Sequence, residues 1–282
     1  MDTNAYIQNL VGTYPLTEPI VRLAIQALQL PSGSQGLDAG CGIGLQAMLL
    51  AHALSPTGHV TGLDFLPELL QYAEEIVKAS GLSERISFRQ GDARKLPFDE
   101  DNFDWAWSSD CVGYSPEIEP VPALKELARV VRPGGKVAVL MWSSEKLLPG
   151  YTLLEASLNA TSYGIAPFAK GMKPEAHYLR ALGWFREAGL QEATVRTFVG
   201  DTHAPLSDEL RNALTALIHM RWSGVESELA PEDLEAYQRL CQPHSPGFIL
   251  NTPHYYAFFT YSMFYGTVAS VLRGGKMIAT SW

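Results

Sequence analysis

Cysteine is scarce. The chain holds three, Cys41, Cys111 and Cys241, an odd number with no close pair. That excludes a disulfide framework and a CxxC metal signature, and no metal site is expected. Positive charge is also short: 21 Lys+Arg stand against 30 Asp+Glu, for a formal net charge of −9. A protein that grips a phosphate backbone normally carries a basic face, so this balance argues against nucleic-acid partners and against an anionic membrane surface. No run of about 18 apolar residues is present to span a membrane. Met1-Asp2-Thr3-Asn4 shows no basic stretch leading into an apolar one, so no secretory signal is expected and the reading is a soluble, cytoplasmic protein. Internal repeats and low-complexity tracts are absent too.

What is present is an ordinary globular mix, 46% hydrophobic and 18% charged over 282 residues. It is enough for one sheet-centred domain. Helical apolar spacing predicts a helix over 17–29, with Pro19 near its start, where a missing N–H is tolerated. Strands and helices then alternate. Strands are expected in the short run ending in Gly36-Leu37-Asp38-Ala39-Gly40 and at His59–Asp64, Arg85–Arg89, Asn102–Trp107 and Lys136–Trp142. Helices are expected at Leu45–Leu54, Pro67–Ser80 and Val121–Val131. This alternation implies right-handed crossovers and a parallel sheet covered on both faces. Beyond it, a helix is expected over Tyr178–Ala188, a sixth strand over Glu192–Phe198, helices within 207–242, and a last aromatic strand over Tyr255–Val268. The 207–253 stretch reads as an insertion between the last two strands.

Chemistry concentrates where the first strand meets the next helix, at Leu37-Asp38-Ala39-Gly40-Cys41-Gly42-Ile43-Gly44. Glycines there permit a sharp turn and let a ligand lie against main chain, and the helix N-terminus behind favours negative groups. The dinucleotide fingerprint GxGxxG fails at its third glycine, where Leu45 stands.

The spacing resembles the first motif of class I S-adenosylmethionine-dependent methyltransferases, [LV]-[DE]-x-G-x-G-x-G. The likeness continues in order through Gly62-Leu63-Asp64, Gly91-Asp92-Ala93, Leu96-Pro97-Phe98 with Phe103-Asp104, and the segment Leu127 to Gly135. It is nearest in wording to the small-molecule branch that includes the ubiquinone/menaquinone and sterol C-methyltransferases. The resemblance implies a Rossmann-like, doubly wound α/β fold with a seven-stranded, mostly parallel sheet, an antiparallel last strand and a helical insertion between strands six and seven. On that reading 1–34 is an N-terminal helical segment, 35–142 the cofactor-binding half and 143–282 the acceptor-side half of one domain.

The implied cofactor is S-adenosylmethionine, leaving as S-adenosylhomocysteine. Asp64 would take the ribose hydroxyls in charge-assisted hydrogen bonds. Asp92 would accept the adenine amino group, and the Ala93 amide would meet a ring nitrogen. Gly40 and Gly42 would admit the methionine part, and Asp38 would order the loop or meet the ammonium through water. Phe65 would cover the ribose–adenine edge, and Ser108, ahead of Asp110, would lie near the methyl. Tyr14 is a candidate to close over the cofactor.

The expected reaction is in-line methyl transfer to a small, apolar or aromatic metabolite, by reactants held in near-attack geometry. If a general base is needed, the candidates are His203 and His254, ahead of His177, His219 and His244. Trp222, Tyr237, Phe248, Tyr163 and Phe168 are candidate pocket aromatics, with 207–253 as a lid. A homodimer is possible. Two other readings stay open: a non-catalytic cofactor-binding or partner-activating subunit, and a nicotinamide-dependent oxidoreductase.

Overall fold

The structure is a computed structural model that describes residues 2–114, 118–162 and 173–270. The sheet comprises β1 (Gln35–Ala39), β2 (His59–Asp64), β3 (Ile86–Gln90), β4 (Phe103–Ser109), β5 (Val131–Lys146), β6 (Gln191–His203) and β7 (Tyr256–Thr267). The helices are α1 (Thr3–Leu28), α2 (Leu45–Ala53), α3 (Pro67–Ala79), α4 (Pro120–Val130), α5 (Thr152–Asn159), α6 (Ala181–Glu187), α7 (Asp208–Trp222) and α8 (Pro231–Cys241).

Strand order is β3-β2-β1-β4-β5-β7-β6. The pairs from β3 through β5 are parallel, while β7 runs antiparallel to both β5 and β6. The order reverses direction at β1 and β4, so their carboxyl ends border the crevice where open α/β sheets bind ligands. Leu37, Ala39, Ala106 and Val137 are buried in the core on one face of the sheet, whereas Trp105, Trp107, Ala138 and Leu140 belong to the core on the other. Gly36 is required beneath Trp105, because a Cβ there would sit 2.0 Å from the indole ring.

Three elements depart from the sequence expectation. The first helix begins at Thr3 and runs through Pro15 and Pro19. Each proline removes one helical N–H. The helix persists because Leu16, Ile20, Val21, Ala24, Ile25 and Leu28 bury a continuous face, and because Asp2 caps its start by accepting from the Asn4 and Ala5 amides. A helix also forms at α5, where no element was expected. Strand β5 is assigned from Val131: that residue pairs with Phe103, the Arg132–Gly135 turn follows, and pairing resumes at Lys136 opposite Trp105. Arg132 binds Asp104 across this irregularity.

The 207–253 insertion is helical, as expected. Its aromatics form core rather than an open lining: Trp222, Tyr237 and Phe248 are all buried. The Trp222 indole donates to Asn159 Oδ1 at 2.9 Å, and the Tyr237 hydroxyl donates to the Trp222 carbonyl at 3.0 Å. Tyr163 and Phe168 lie outside the described residues. Helix α7 lies against α1, close enough that a Cβ on Gly12 would meet Ala216 Cβ at 3.3 Å.

Candidate active site

The loop after β1 is tied to the end of β2. Gly40 and Cys41 donate to the Leu63 carbonyl at 2.7 and 3.0 Å. Gly40 has φ +79°, and a Cβ there would lie 2.3 Å from Cys111 Sγ. Only glycine fits both the conformation and the contact. Gly42, at φ +53°, has no neighbour nearer than Leu10 Cδ1 at 3.7 Å, so space remains beside its main chain. Helix α2 then begins without a side-chain cap.

Asp64 closes this loop from β2. Its Oδ2 accepts from the Gly42 amide at 2.8 Å and its Oδ1 from the Leu66 amide at 3.1 Å. A carboxylate offers about four acceptor positions, so each oxygen retains capacity for one more donor. Two neighbouring hydroxyls match that need.

Asp38 is 1% exposed, and its Oδ2 is a buried atom with no hydrogen-bond partner among the described residues. Burial, followed by the negative charge of Asp64, pushes its carboxyl up to about 8. A buried acceptor left without a donor is unfavourable, and a cationic group beside it would relieve the penalty.

The remaining expected contacts are placed as follows. Ala93 is buried, while Asp92 is half-buried with both oxygens on Arg94, at distances down to 2.7 Å. The Arg94 guanidinium holds the Asp92 carboxyl below its usual range. Phe65 is 63% exposed, directly after β2. Ser108 is buried, donating to the Ala39 carbonyl at 2.8 Å and accepting from the Val112 amide at 3.1 Å. Its hydroxyl therefore ties β1 to the loop after β4.

Tyr14 is half-buried against the main core. Tyr6, eight residues and about 12 Å up the same helix, stands nearer the site. Its hydroxyl is driven up to about 12 by burial, then by the charges of Asp64 and Asp110. Sequence reasoning missed it because the helix was expected to start later.

His203 and His254 are exposed. Ser109 is level with Leu140, Leu140 with Met263, and Met263 with Arg196. His203 lies seven residues beyond Arg196, about 23 Å further along the strand. His254 sits in the turn leading into β7, at the same end of that strand pair. The structure thus brings Asp38, Gly40, Gly42 and Asp64 together with Tyr6 and Asp110, and leaves these two histidines outside that group.

The group on the β4 side is Asp110, Tyr114, Tyr178 and Tyr261, backed by the buried Glu145–Arg221 ion pair at 2.8 Å. Among the described residues no cluster of three His, Cys, Asp or Glu could hold a metal, and no helix is long and apolar enough to cross a membrane. A surface hollow of about 520 Å³ between α1 and β6, lined by Leu23, Arg196 and Phe198, is separate from the glycine loop.

Residues 37–135 match the family model described as a methyltransferase domain. Demethylmenaquinone methyltransferase of Staphylococcus carnosus is 33% identical over 198 residues, covering 64% of this chain and 77% of that protein. The chain belongs to the S-adenosylmethionine-dependent methyltransferases. Other relatives are matched over less. Methyltransferase GfsG of Streptomyces halstedii is 36% identical over 128 residues, and this methyltransferase spans only 45% of its length. A demethylmenaquinone methyltransferase of Bacillus cytotoxicus is likewise spanned over about half, 51%. Among solved structures, a SAM-dependent methyltransferase from Aquifex aeolicus aligns with TM-score 0.51 at 21% identity, covering 70% of this chain and 92% of that one. Geranyl diphosphate methyltransferase in complex with SAM aligns with TM-score 0.53 at 14% identity, over 91% and 87% of the two chains. These likenesses concern the fold. The residues present fit the family cofactor: the unpaired Asp38 oxygen suits its cationic end, Asp64 retains two acceptor positions for a diol, and Gly40 and Gly42 leave main chain bare.

Proposed function

We propose that the protein binds S-adenosylmethionine in the crevice at the carboxyl ends of β1 and β4, against the glycine loop and Asp64 of β2, and catalyses methyl transfer to a small, apolar or aromatic metabolite. The observation that carries the reading is the paired arrangement of Asp64, gripping the Gly42 and Leu66 amides, and Asp38, buried with an unsatisfied oxygen. When bound, the cofactor would supply a methyl group activated by its sulfonium, with S-adenosylhomocysteine as the leaving group.

The chain's own residues would act by binding, orientation and exclusion of water. Asp64 holds the ribose. Asp38 balances the cationic end. The Ala93 amide meets the adenine, and Asp92 joins it once Arg94 swings away. Tyr6 and Leu10 of α1 close the crevice from above. The acceptor would lie on the β4 side, against Tyr114, Tyr178 and Tyr261. The demethylmenaquinone methyltransferases among the relatives support a flat, apolar acceptor.

The test is incubation with methyl-labelled S-adenosylmethionine and a metabolite extract, followed by mass spectrometry. A labelled small molecule formed by wild type and lost in Asp64→Ala is the expected result. Tight S-adenosylhomocysteine binding with no labelled product would instead favour a non-catalytic, cofactor-binding role.

A further inference from the structure

The residue after β4 is anomalous. Asp110 has φ +47°, the left-handed region that a non-glycine residue occupies at a cost. Three bonds hold it there. Its amide donates to the Leu140 carbonyl at 2.9 Å, Oδ1 accepts from the Trp142 amide at 2.8 Å, and Oδ2 accepts from the Tyr261 hydroxyl at 2.9 Å. Strands β5 and β7, distant in sequence, thus converge to aim one carboxylate.

A cross-link alone would be satisfied by a fully enclosed side chain. Asp110 lies deep enough for burial to dominate its titration, yet the residue is not sealed from the surface, and each of its oxygens retains acceptor capacity after these bonds. The ionisable groups facing it come from the elements around it: Tyr6 of α1, Cys111 and Tyr114 of its own loop, Tyr178, Arg221 of α7 and Tyr261 of β7, with Glu145 of β5 behind Arg221. Tyr6 and Cys111 feel both Asp64 and Asp110, which puts the Asp110 carboxylate on the cofactor side of this group. The surroundings are flat and aromatic. The Tyr114 and Tyr178 rings are 5.8 Å apart, and Trp142 stacks on Phe259 at 5.4 Å while meeting Tyr261 edge-on at 5.4 Å.

We propose that Asp110 is the catalytic residue that receives the hydroxyl of a phenol-like or enol-like acceptor and takes its proton during methyl transfer, with Tyr261 as its positioning residue. This rests on the methyl-transfer reading above. The step balances. The acceptor's electron pair forms the bond to the methyl carbon, the methyl–sulfur pair stays on sulfur as a neutral thioether, and the acceptor's proton passes to the Asp110 carboxylate. Burial raises that carboxyl to about 6, which brings its basicity closer to neutral pH, although the Trp142 and Tyr261 hydrogen bonds oppose the shift.

The experiment uses the full chain loaded with S-adenosylhomocysteine, whose own binding is measured first by calorimetry. Two probes are then titrated: 4-methylphenol, whose hydroxyl stays protonated at neutral pH, and 4-methylanisole, which has the same ring without the O–H. Wild type is expected to bind the phenol saturably and at least ~10-fold more tightly than the ether, the scale of a hydrogen bond to a charged group. Asp110→Asn should reduce that preference to about threefold or less, and Tyr261→Phe should reduce it partway. Equal affinity of wild type for the two probes, or no saturable phenol binding, overturns the proposal even if the variants do not fold. Binding of S-adenosylhomocysteine without discrimination between the probes defeats this inference alone, whereas failure of S-adenosylhomocysteine to bind defeats the methyl-transfer reading and this one with it.

Discussion

Asp38 gives the most quantitative handle on the site. Burial and the charge of Asp64 raise its carboxyl from 3.8 to about 8. At pH 7 roughly nine in ten molecules should therefore carry a proton there. The cofactor's ammonium, which S-adenosylhomocysteine retains, favours the ionised form when it lies beside the unpaired Oδ2, so binding should expel most of that proton. The expected release is about 0.9 proton per cofactor bound at pH 7. Calorimetric titration with S-adenosylhomocysteine in two buffers of different ionisation enthalpy reads this number, and Asp38→Asn isolates the residue. The same shift has a stability consequence. A carboxyl whose folded value lies above its unfolded one stabilises the fold at low pH and loses that contribution as pH rises from about 4 to 8. At 1.36 kcal/mol per unit, the full span is on the order of 6 kcal/mol. Urea unfolding across this window should show wild type losing stability relative to Asp38→Asn. Equal proton release by the two proteins, together with parallel stability profiles, would refute the reasoning.

Other perturbations follow from the same contacts. Gly40→Ala drives a methyl to within 2.3 Å of Cys111 Sγ at a positive φ, and should abolish cofactor binding or lower the unfolding midpoint by the equivalent of ~2 kcal/mol or more, read by calorimetry and melting. Glu145→Gln removes the charge from its buried pair with Arg221 and should destabilise by about 3–5 kcal/mol in chemical denaturation. His203→Ala and His254→Ala test the general-base role considered for them. Their exposure, and the seven-residue distance of His203 beyond the level of Ser109, lead us to expect turnover within about twofold of wild type in a labelled-methyl assay.

The parts of this molecule that were legible in sequence are those specified locally. His59–Asp64 alternates toward a strand and ends on the acid that the turn needs. Pro67 opens α3 and the apolar spacing of Leu69, Leu70, Ala73 and Val77 fixes its buried face. The glycine loop was legible because its steric demand is written in the residues themselves. The first helix was misjudged because Pro19 reads locally as a helix start, while the burial that carries the helix through it comes from the distant β6, β7 and α7. That error displaced attention from Tyr6 to Tyr14. Ser108 resembled a ligand contact, yet its hydroxyl is consumed by Ala39, 69 residues away. The Asp110–Tyr261 pair spans 151 residues and had no local pattern to reveal it. Trp222, Tyr237 and Phe248 show the converse: aromatics in an insertion suggest a pocket, but a helical insertion must first build its own core.

The central claim is that the crevice formed by Asp38, the glycine loop and Asp64 binds S-adenosylmethionine. Calorimetric titration of the purified chain with S-adenosylhomocysteine and, separately, with NAD tests it directly. The account predicts saturable, one-to-one binding of S-adenosylhomocysteine, a loss of at least ~10-fold in Asp64→Ala, and no binding of NAD. Binding of NAD with none of S-adenosylhomocysteine would contradict it.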